Sequence, residues 1–103
     1  MLKFAFIYAL PGYTRPEQHH VKTDNAEFIC VAVDYAHLEH AADCAKQLVA
    51  THGVKMIELC GGLANADIVS KVKQAVGQDV AVGQVMYGPE YRRFLTELVS
   101  KQA

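Results

Sequence analysis

Short apolar segments alternate with amphipathic ones along most of the chain. Residues 2–10 are rich in aromatic and branched side chains and end at Pro11-Gly12, which predicts a first strand. Residues 28–33 are continuously apolar, and a strand without polar alternation is typical of a parallel sheet that is covered on both faces. Two further strands are predicted at residues 55–60 and 80–87.

Amphipathic segments separate and follow the later strands. Apolar positions at three- and four-residue spacing predict helices over residues 35–52 and 65–76, with Asp34 and Asn65 as their N-caps. A third helix follows Gly88-Pro89, because proline in the first turn of a helix loses no hydrogen bond.

A long loop over residues 11–26 precedes the second strand. Loops of this length in small domains are commonly functional or contain short elements, so a lid and a simple connection both remain open. Residues 20–23, followed by Asp24-Asn25, favour a short hairpin arm.

The resulting order is β-loop-β-α-β-α-β-α over a single α/β domain, residues 1–103. Alternating strands and helices with short connections predict a mainly parallel four-stranded sheet that is layered with helices. The direction of the first strand stays open. Three helices can leave one face or edge of the sheet without a cover, which a homo-oligomer would supply.

Charge and cysteine content narrow the class of protein. The 10 basic and 11 acidic residues give a net charge of −1 and form no block of like charge, which disfavours nucleic-acid and membrane-surface partners. No apolar run reaches the length of a membrane span. The three cysteines, Cys30, Cys44 and Cys60, are widely spaced without a CxxC motif, so we expect a reducing, cytoplasmic location.

Ligands of parallel α/β sheets bind at the carboxyl ends of the strands, where the chain places Glu58 and Cys60. Both residues share one face of an apolar strand, because alternate strand residues point the same way. A buried Glu58 would be suited to acid–base work, and a helix start beside Cys60 would favour a thiolate nucleophile. The alternatives are a structural ion pair for Glu58 and a small buried hydrophobe for Cys60.

The glycines that follow the same strand suggest a binding function. Gly61 and Gly62 permit close backbone approach, so they can hold a phosphate or carboxylate at a helix start, and a tight strand-to-helix turn is the alternative. Other residues at predicted strand ends are candidates to line the same pocket, namely Tyr8, Gln84 and Tyr87.

Histidines do not complete a recognisable metal motif. His37, His40 and Cys44 share one side of the first predicted helix, but no fourth ligand is evident, so a solvated helix flank is the simpler interpretation. His19 and His20 lie in the long loop, where a surface position is the simpler interpretation. The sequence therefore implies no metal site and no cofactor.

Two segments resemble a family of short bacterial α/β proteins classed as a domain of unknown function. They are Val-Lys-Met-Ile-Glu-Leu-Cys-Gly-Gly at residues 54–62 and Val-Gly-Gln-Val-Met-Tyr-Gly at residues 82–88. The early Phe-Ile-Tyr and Pro-Gly-Tyr are similar too. The resemblance implies a stand-alone α/β protein of about this length, and it implies no activity.

Two functional hypotheses follow. The first is a site for a small anionic metabolite around residues 58–62, where Glu58 would be acid, base or hydrogen-bond anchor in a cofactor-free proton transfer or lyase-type step. The second is a non-catalytic oligomeric module, structural or interacting, in which Glu58 and Cys60 are core or interface residues. Whether the protein is an enzyme is left open by the sequence.

Overall fold

Five strands and three α-helices make up the fold of the computed structural model, which describes residues 1–13 and 17–101. The strands are β1 (Leu2–Leu10), β2 (Glu17–Lys22), β3 (Ala26–Asp34), β4 (Met56–Leu59) and β5 (Ala81–Gln84). The helices are α1 (His40–Gln47), α2 (Ala66–Val76) and α3 (Arg92–Ser100). No helix in these ranges combines the length and the apolar character that crossing a bilayer requires.

The strands form one sheet in the order β2-β3-β1-β4-β5. β1 is the central strand and runs parallel to both of its neighbours, with Ala5 opposite Ile29 on one side and Ile57 on the other. β5 extends the parallel sheet beyond β4, and β2 closes the other edge as the antiparallel partner of β3. The direction of the first strand, which the sequence left open, is therefore parallel.

α1 and α2 pack against each other on one face of the sheet. The connections from β3 to β4 and from β4 to β5 advance across the sheet in the same direction, and right-handed crossovers then place both helices on the same side. Alternate strand residues supply the core beneath them, including Ile7, Ile29, Val31, Ile57 and Leu59, and the helices contribute Ala41, Ala45, Leu48, Ile68 and Val72.

The prediction of four strands is one too few, because residues 17–22 of the predicted loop form β2. β2 is exposed along its whole length and lacks apolar alternation. The short hairpin arm predicted at residues 20–23 is confirmed, since Val21 and Lys22 pair with β3 and the chain then turns back. The hairpin that joins the two strands is held by Thr23, whose hydroxyl accepts hydrogen bonds from the backbone N–H groups of Asn25 and Ala26. Residues 14–16 of the predicted loop lie outside the described residues.

Helix boundaries differ from the prediction mainly at the start of α1. The Asp34 carboxylate accepts a hydrogen bond from the Ala36 N–H at 3.0 Å, which favours a turn, and α1 starts only at His40. α1 continues as a wider π-helical turn, Leu48–His52, up to Gly53 in the left-handed conformation. For α2 the cap is confirmed, since Asn65 Oδ1 accepts from the Ile68 N–H at 2.9 Å.

The opposite face of the sheet carries no helix within the described residues, and we call it the open face. Its half-buried and exposed side chains are Phe4, Phe6, Tyr8, Phe28, Cys30, Met56 and Glu58. Aromatic rings cover its centre, with Phe4 and Phe28 at a centroid distance of 4.8 Å. The expectation that residues 28–33 are covered on both faces is therefore wrong, because both crossover helices lie on the other side.

α3 projects from the carboxyl end of the sheet. It starts with a 3-10 turn after the shortened β5, which ends at Gln84 instead of the predicted residue 87. Phe94 on α3 remains 62% exposed. The radius of gyration is 13.9 Å, whereas a compact domain of this length has about 13 Å.

Glu27 is the one buried charged residue in the described part of the chain, with 9% of its surface exposed. Its Oε2 lies 3.0 Å from Nδ1 of His20, and its Oε1 lies 4.0 Å from Nζ of Lys3. The hydrogen bond from His20 is the main reason why the pKa of Glu27 is lowered, and it outweighs the desolvation that acts in the opposite direction. Glu27 thereby ties β2 and β1 to β3.

We expect Glu27→Gln to be less stable than the wild type at pH 7. Because the folded-state pKa lies below the unfolded value of 4.5, ionised Glu27 stabilises the fold above that pH. This contribution is lost as the pH falls through the folded-state pKa, so the difference between the two proteins should shrink there.

Urea unfolding from neutral to acid pH measures the difference. Glu17→Gln, which removes an exposed carboxylate on β2, is the control and should change stability little at any pH. A deficit of Glu27→Gln that stays constant over the whole pH range would contradict the prediction.

Candidate functional site

The carboxyl ends of the parallel strands meet at one edge of the sheet, where the sequence places most candidate residues. Glu58 lies on β4 in register with Phe6 on β1 and Gly83 on β5. Its side chain is exposed on the open face instead of being buried within the sheet. Its role in acid–base chemistry remains a prediction.

Cys60 follows β4 and is half-buried. Its N–H donates to the Ile7 carbonyl at 3.0 Å, which extends the pairing of β4 with β1 beyond the strand. A 3-10 turn, Gly61–Leu63, comes next, and α2 starts only at Ala66. The predicted helix over residues 65–76 is confirmed as α2, and a nucleophilic role of Cys60 remains a prediction.

Two tyrosine rings flank the Gly61–Gly62 turn. A Cβ atom at Gly61 would lie 3.1 Å from Cε2 of Tyr87, and one at Gly62 would lie 3.3 Å from Cε2 of Tyr35. A side chain at either position would thus require the neighbouring tyrosine ring to shift by a few tenths of an ångström. Tyr35 was missed by the sequence analysis, although its place directly after the carboxyl end of β3 was a usable signal.

A cleft of about 520 Å³ opens between this turn and α3, and we call it the C-terminal cleft. Gly61 and Ala64 line it from the β4–α2 connection, and the other lining residues include Val85, Tyr87, Pro89, Arg92 and Leu95. Arg92 forms no ion pair with any residue in the described ranges, whereas the neighbouring Arg93 lies 3.3 Å from Glu97. The cleft is therefore lined by an arginine without an ion-pair partner in the described residues and by a tyrosine.

The candidate residues separate into different places. Gly61 and Tyr87 meet in the C-terminal cleft. Tyr8 lies on the open face, with its ring 5.9 Å from that of Phe6, and partial burial is the main cause that raises its pKa. Gln84 lines a separate cleft along α2. The structure thus does not gather the predicted residues into one pocket.

The histidines and the cysteine of the first predicted helix differ in burial, although His40 and Cys44 line one cleft along α1. Cys44 is only 6% exposed, and burial raises the pKa of its thiol to about 11. The rings of His37 and His40 stack at 5.2 Å, and Nδ1 of His37 lies 3.1 Å from a carboxylate oxygen of Glu39. The imidazole groups are thus associated with Glu39 and with each other, while the thiol is withdrawn into the core.

The chain belongs to a family of unknown function (DUF6506), whose profile matches residues 2–100. The match spans nearly the whole chain and confirms the resemblance in the sequence. A comparison with curated proteins gives no match. Membership in this family assigns no activity, so the function is argued from the geometry alone.

The burial of Cys44 predicts a large loss of thiol reactivity on folding. In a Cys30→Ala, Cys60→Ala variant, Cys44 is the remaining thiol. The rise of its pKa from 9.0 to about 11 should slow its reaction with an aromatic disulfide reagent by about 100-fold relative to the urea-unfolded chain. Steric protection in the core should slow the reaction further.

Stopped-flow absorbance at pH 8 measures both rates. The matched variant that retains Cys60 instead of Cys44 controls for the reagent and should show less protection, because its thiol is half-buried. Native and unfolded rates of Cys44 within a factor of about ten would contradict the burial described here.

Proposed function

We propose that the protein binds a small anionic molecule in the C-terminal cleft. The observation that carries this proposal is Arg92, which lines the cleft and forms no ion pair with any of the described residues. A planar guanidinium binds carboxylate and phosphate groups through two parallel hydrogen bonds. Arg92 is therefore the group that would hold the anion.

The remaining walls of the cleft indicate the rest of the ligand. Tyr87 packs its ring against Gly61, and Val85 and Leu95 add apolar side chains to the lining. A volume of about 520 Å³ lies within the roughly 300–1,000 Å³ of small-molecule pockets. A carboxylated or phosphorylated metabolite with an apolar or planar portion fits these features.

Binding of this kind does not require a reaction. Glu58 lies on the open face, and Cys60 follows it beside Tyr35 and Gly62, so neither lines the C-terminal cleft. A proton transfer or lyase-type step through these two residues is a separate proposal.

Arg92→Gln should weaken anion binding, because it removes the positive charge and the paired donors. A thermal-shift screen against small carboxylates and phosphates identifies a ligand through the rise in melting temperature. Calorimetry then compares affinities. We expect Arg92→Gln to lose at least about tenfold in affinity, since a hydrogen bond to a charged group contributes roughly 1.5–3 kcal/mol.

Arg93→Gln is the matched control, because Arg93 is the adjacent arginine and points to solvent, with its side chain 94% exposed. It should bind like the wild type. Absence of any stabilising anion, or equal losses in both variants, would contradict the proposal.

Self-association is a second function that a specific observation favours. The open face is a continuous aromatic surface, and α3 carries a second exposed apolar stripe made of Tyr91, Phe94 and Leu98. Isolated monomers rarely expose large apolar patches. We propose that a second copy of this chain covers the open face with its α3, and that the exchange is reciprocal.

Charge and size support the second copy as the occupant. Glu17 and Glu58 lie on the open face, whose described strands place no Lys or Arg there, while Lys101 borders the stripe of α3. A face of five strands measures about 20 by 20 Å. The area of two such faces, together with α3 and the uneven surface of the side chains, approaches the roughly 1,200–2,000 Å² that a stable interface buries.

Sedimentation velocity at concentrations on the order of 100 µM tests the association. We expect a species with twice the mass of one chain, and we expect Phe94→Asp to convert it to monomer by placing a charge in the apolar contact. Ser100→Asp, on the polar side of α3, should leave the dimer intact. A monomeric wild type, or a dimer that Phe94→Asp leaves intact, would refute this arrangement.

A further inference from the structure

Two histidines and a glutamate from three separate elements converge beside the β2 edge of the sheet. They are His20 on β2, Glu27 on β3 and His52 at the end of the π-helical turn after α1. One ligand atom from each side chain lies within 4.8 Å of the other two. This cluster lies at the opposite edge of the sheet from the C-terminal cleft and is independent of the functions proposed above.

The fold positions each member of the cluster. His20 pairs with Ile29 in the β2–β3 ladder, so its side chain lies on the helix-covered face together with Glu27, two residues before Ile29 on β3. The π-helical turn widens the end of the first helix at His52, and the left-handed Gly53 then redirects the chain. Single π-helical turns occur frequently at functional sites.

A structural ion pair explains only part of this arrangement. His20 Nδ1 lies 3.0 Å from Glu27 Oε2, which satisfies both groups. His52 has no side-chain hydrogen bond within the described ranges, and it meets the His20 ring edge-on at a centroid distance of 5.0 Å. A half-buried imidazole beside a buried carboxylate thus retains, in its neutral form, one unused nitrogen lone pair.

We propose that His20, Glu27 and His52 form a binding site for a divalent transition metal ion such as Zn²⁺. Two imidazoles and one carboxylate are a common ligand set for such ions, and three protein ligands leave at least one coordination position for water or another molecule. A divalent ion would use the free nitrogen of His52 and offset the negative charge of Glu27.

The distances require only a modest contraction. Metal–ligand bonds of about 2.0–2.2 Å place neighbouring ligand atoms roughly 3–3.5 Å apart. The His20–Glu27 pair is already at 3.0 Å, so His52 makes most of the movement. Lys3 lies 4.0 Å from Oε1 of Glu27 and leaves Oε2 to the metal, so it can fix the orientation of the carboxylate.

A second group with the same ligand types provides an internal comparison. His37, Glu39 and His40 also bring their ligand atoms within 4.8 Å of one another. They lie within four consecutive positions before and at the start of α1, and the carboxylate of Glu39 is exposed instead of buried. His37→Gln is therefore the matched control for a nonspecific surface histidine effect.

Binding of Co²⁺ and Zn²⁺ to the untagged, chelator-treated full chain tests the proposal. Calorimetry should show one ion per chain, visible absorption should show the bands of protein-bound Co²⁺, and the melting temperature should rise with Zn²⁺. His52→Gln should weaken binding by at least about tenfold, because a ligand is lost. The His37→Gln control should bind like the wild type.

His52→Gln suits this test because His52 makes no side-chain hydrogen bond in the described residues, so the fold should survive. Circular dichroism of the metal-free variant checks that it does. Glu27→Asp, which keeps the charge but shortens the reach, is a second variant and should also weaken Co²⁺ binding. Absence of stoichiometric Co²⁺ binding, an unchanged affinity in His52→Gln, or a loss confined to His37→Gln would overturn the proposal.

Discussion

The direction and handedness of the two crossover connections determine most of this structure. β3 leads through α1 to β4, and β4 leads through α2 to β5, always in the same direction across the sheet. Right-handed connections in one direction place every crossover helix on one face. The buried core therefore forms on that face alone, and the aromatic rings of β1 and β3 are left on the other.

The antiparallel β2 alters the edge of this parallel sheet. It brings His20 and Lys22 beside Glu27, whose buried carboxylate accepts a hydrogen bond from His20. A buried carboxylate without a partner would be costly, so the edge strand and the charge depend on each other. The C-terminal cleft at the opposite edge does not depend on β2. It forms because α3 meets the sheet only at the carboxyl end of the strands.

Regular apolar patterns made much of the fold predictable. β1 and α2 follow from alternation and from the Asn65 cap, both of which are local signals. For β2 the apolar pattern is absent, because an edge strand needs no apolar face, and only the turn residues Asp24-Asn25 indicate its hairpin. The exposure of Glu58 and the proximity of His20 to His52 depend on which face of the sheet the helices cover. That face is decided by the order of the strands, which only the whole chain determines.

The two edge strands of the sheet, β2 and β5, are both unsuited to pairing with a strand of another copy. β5 has only four residues, and β2 carries charged and polar side chains along its length, from Glu17 to Lys22. Short and charged edge strands oppose the strand-to-strand addition that leads to amyloid-like growth. Under the pairing proposed for the open face, a two-fold dimer would leave no such face free for further copies, so association would end in a closed particle instead of a fibre.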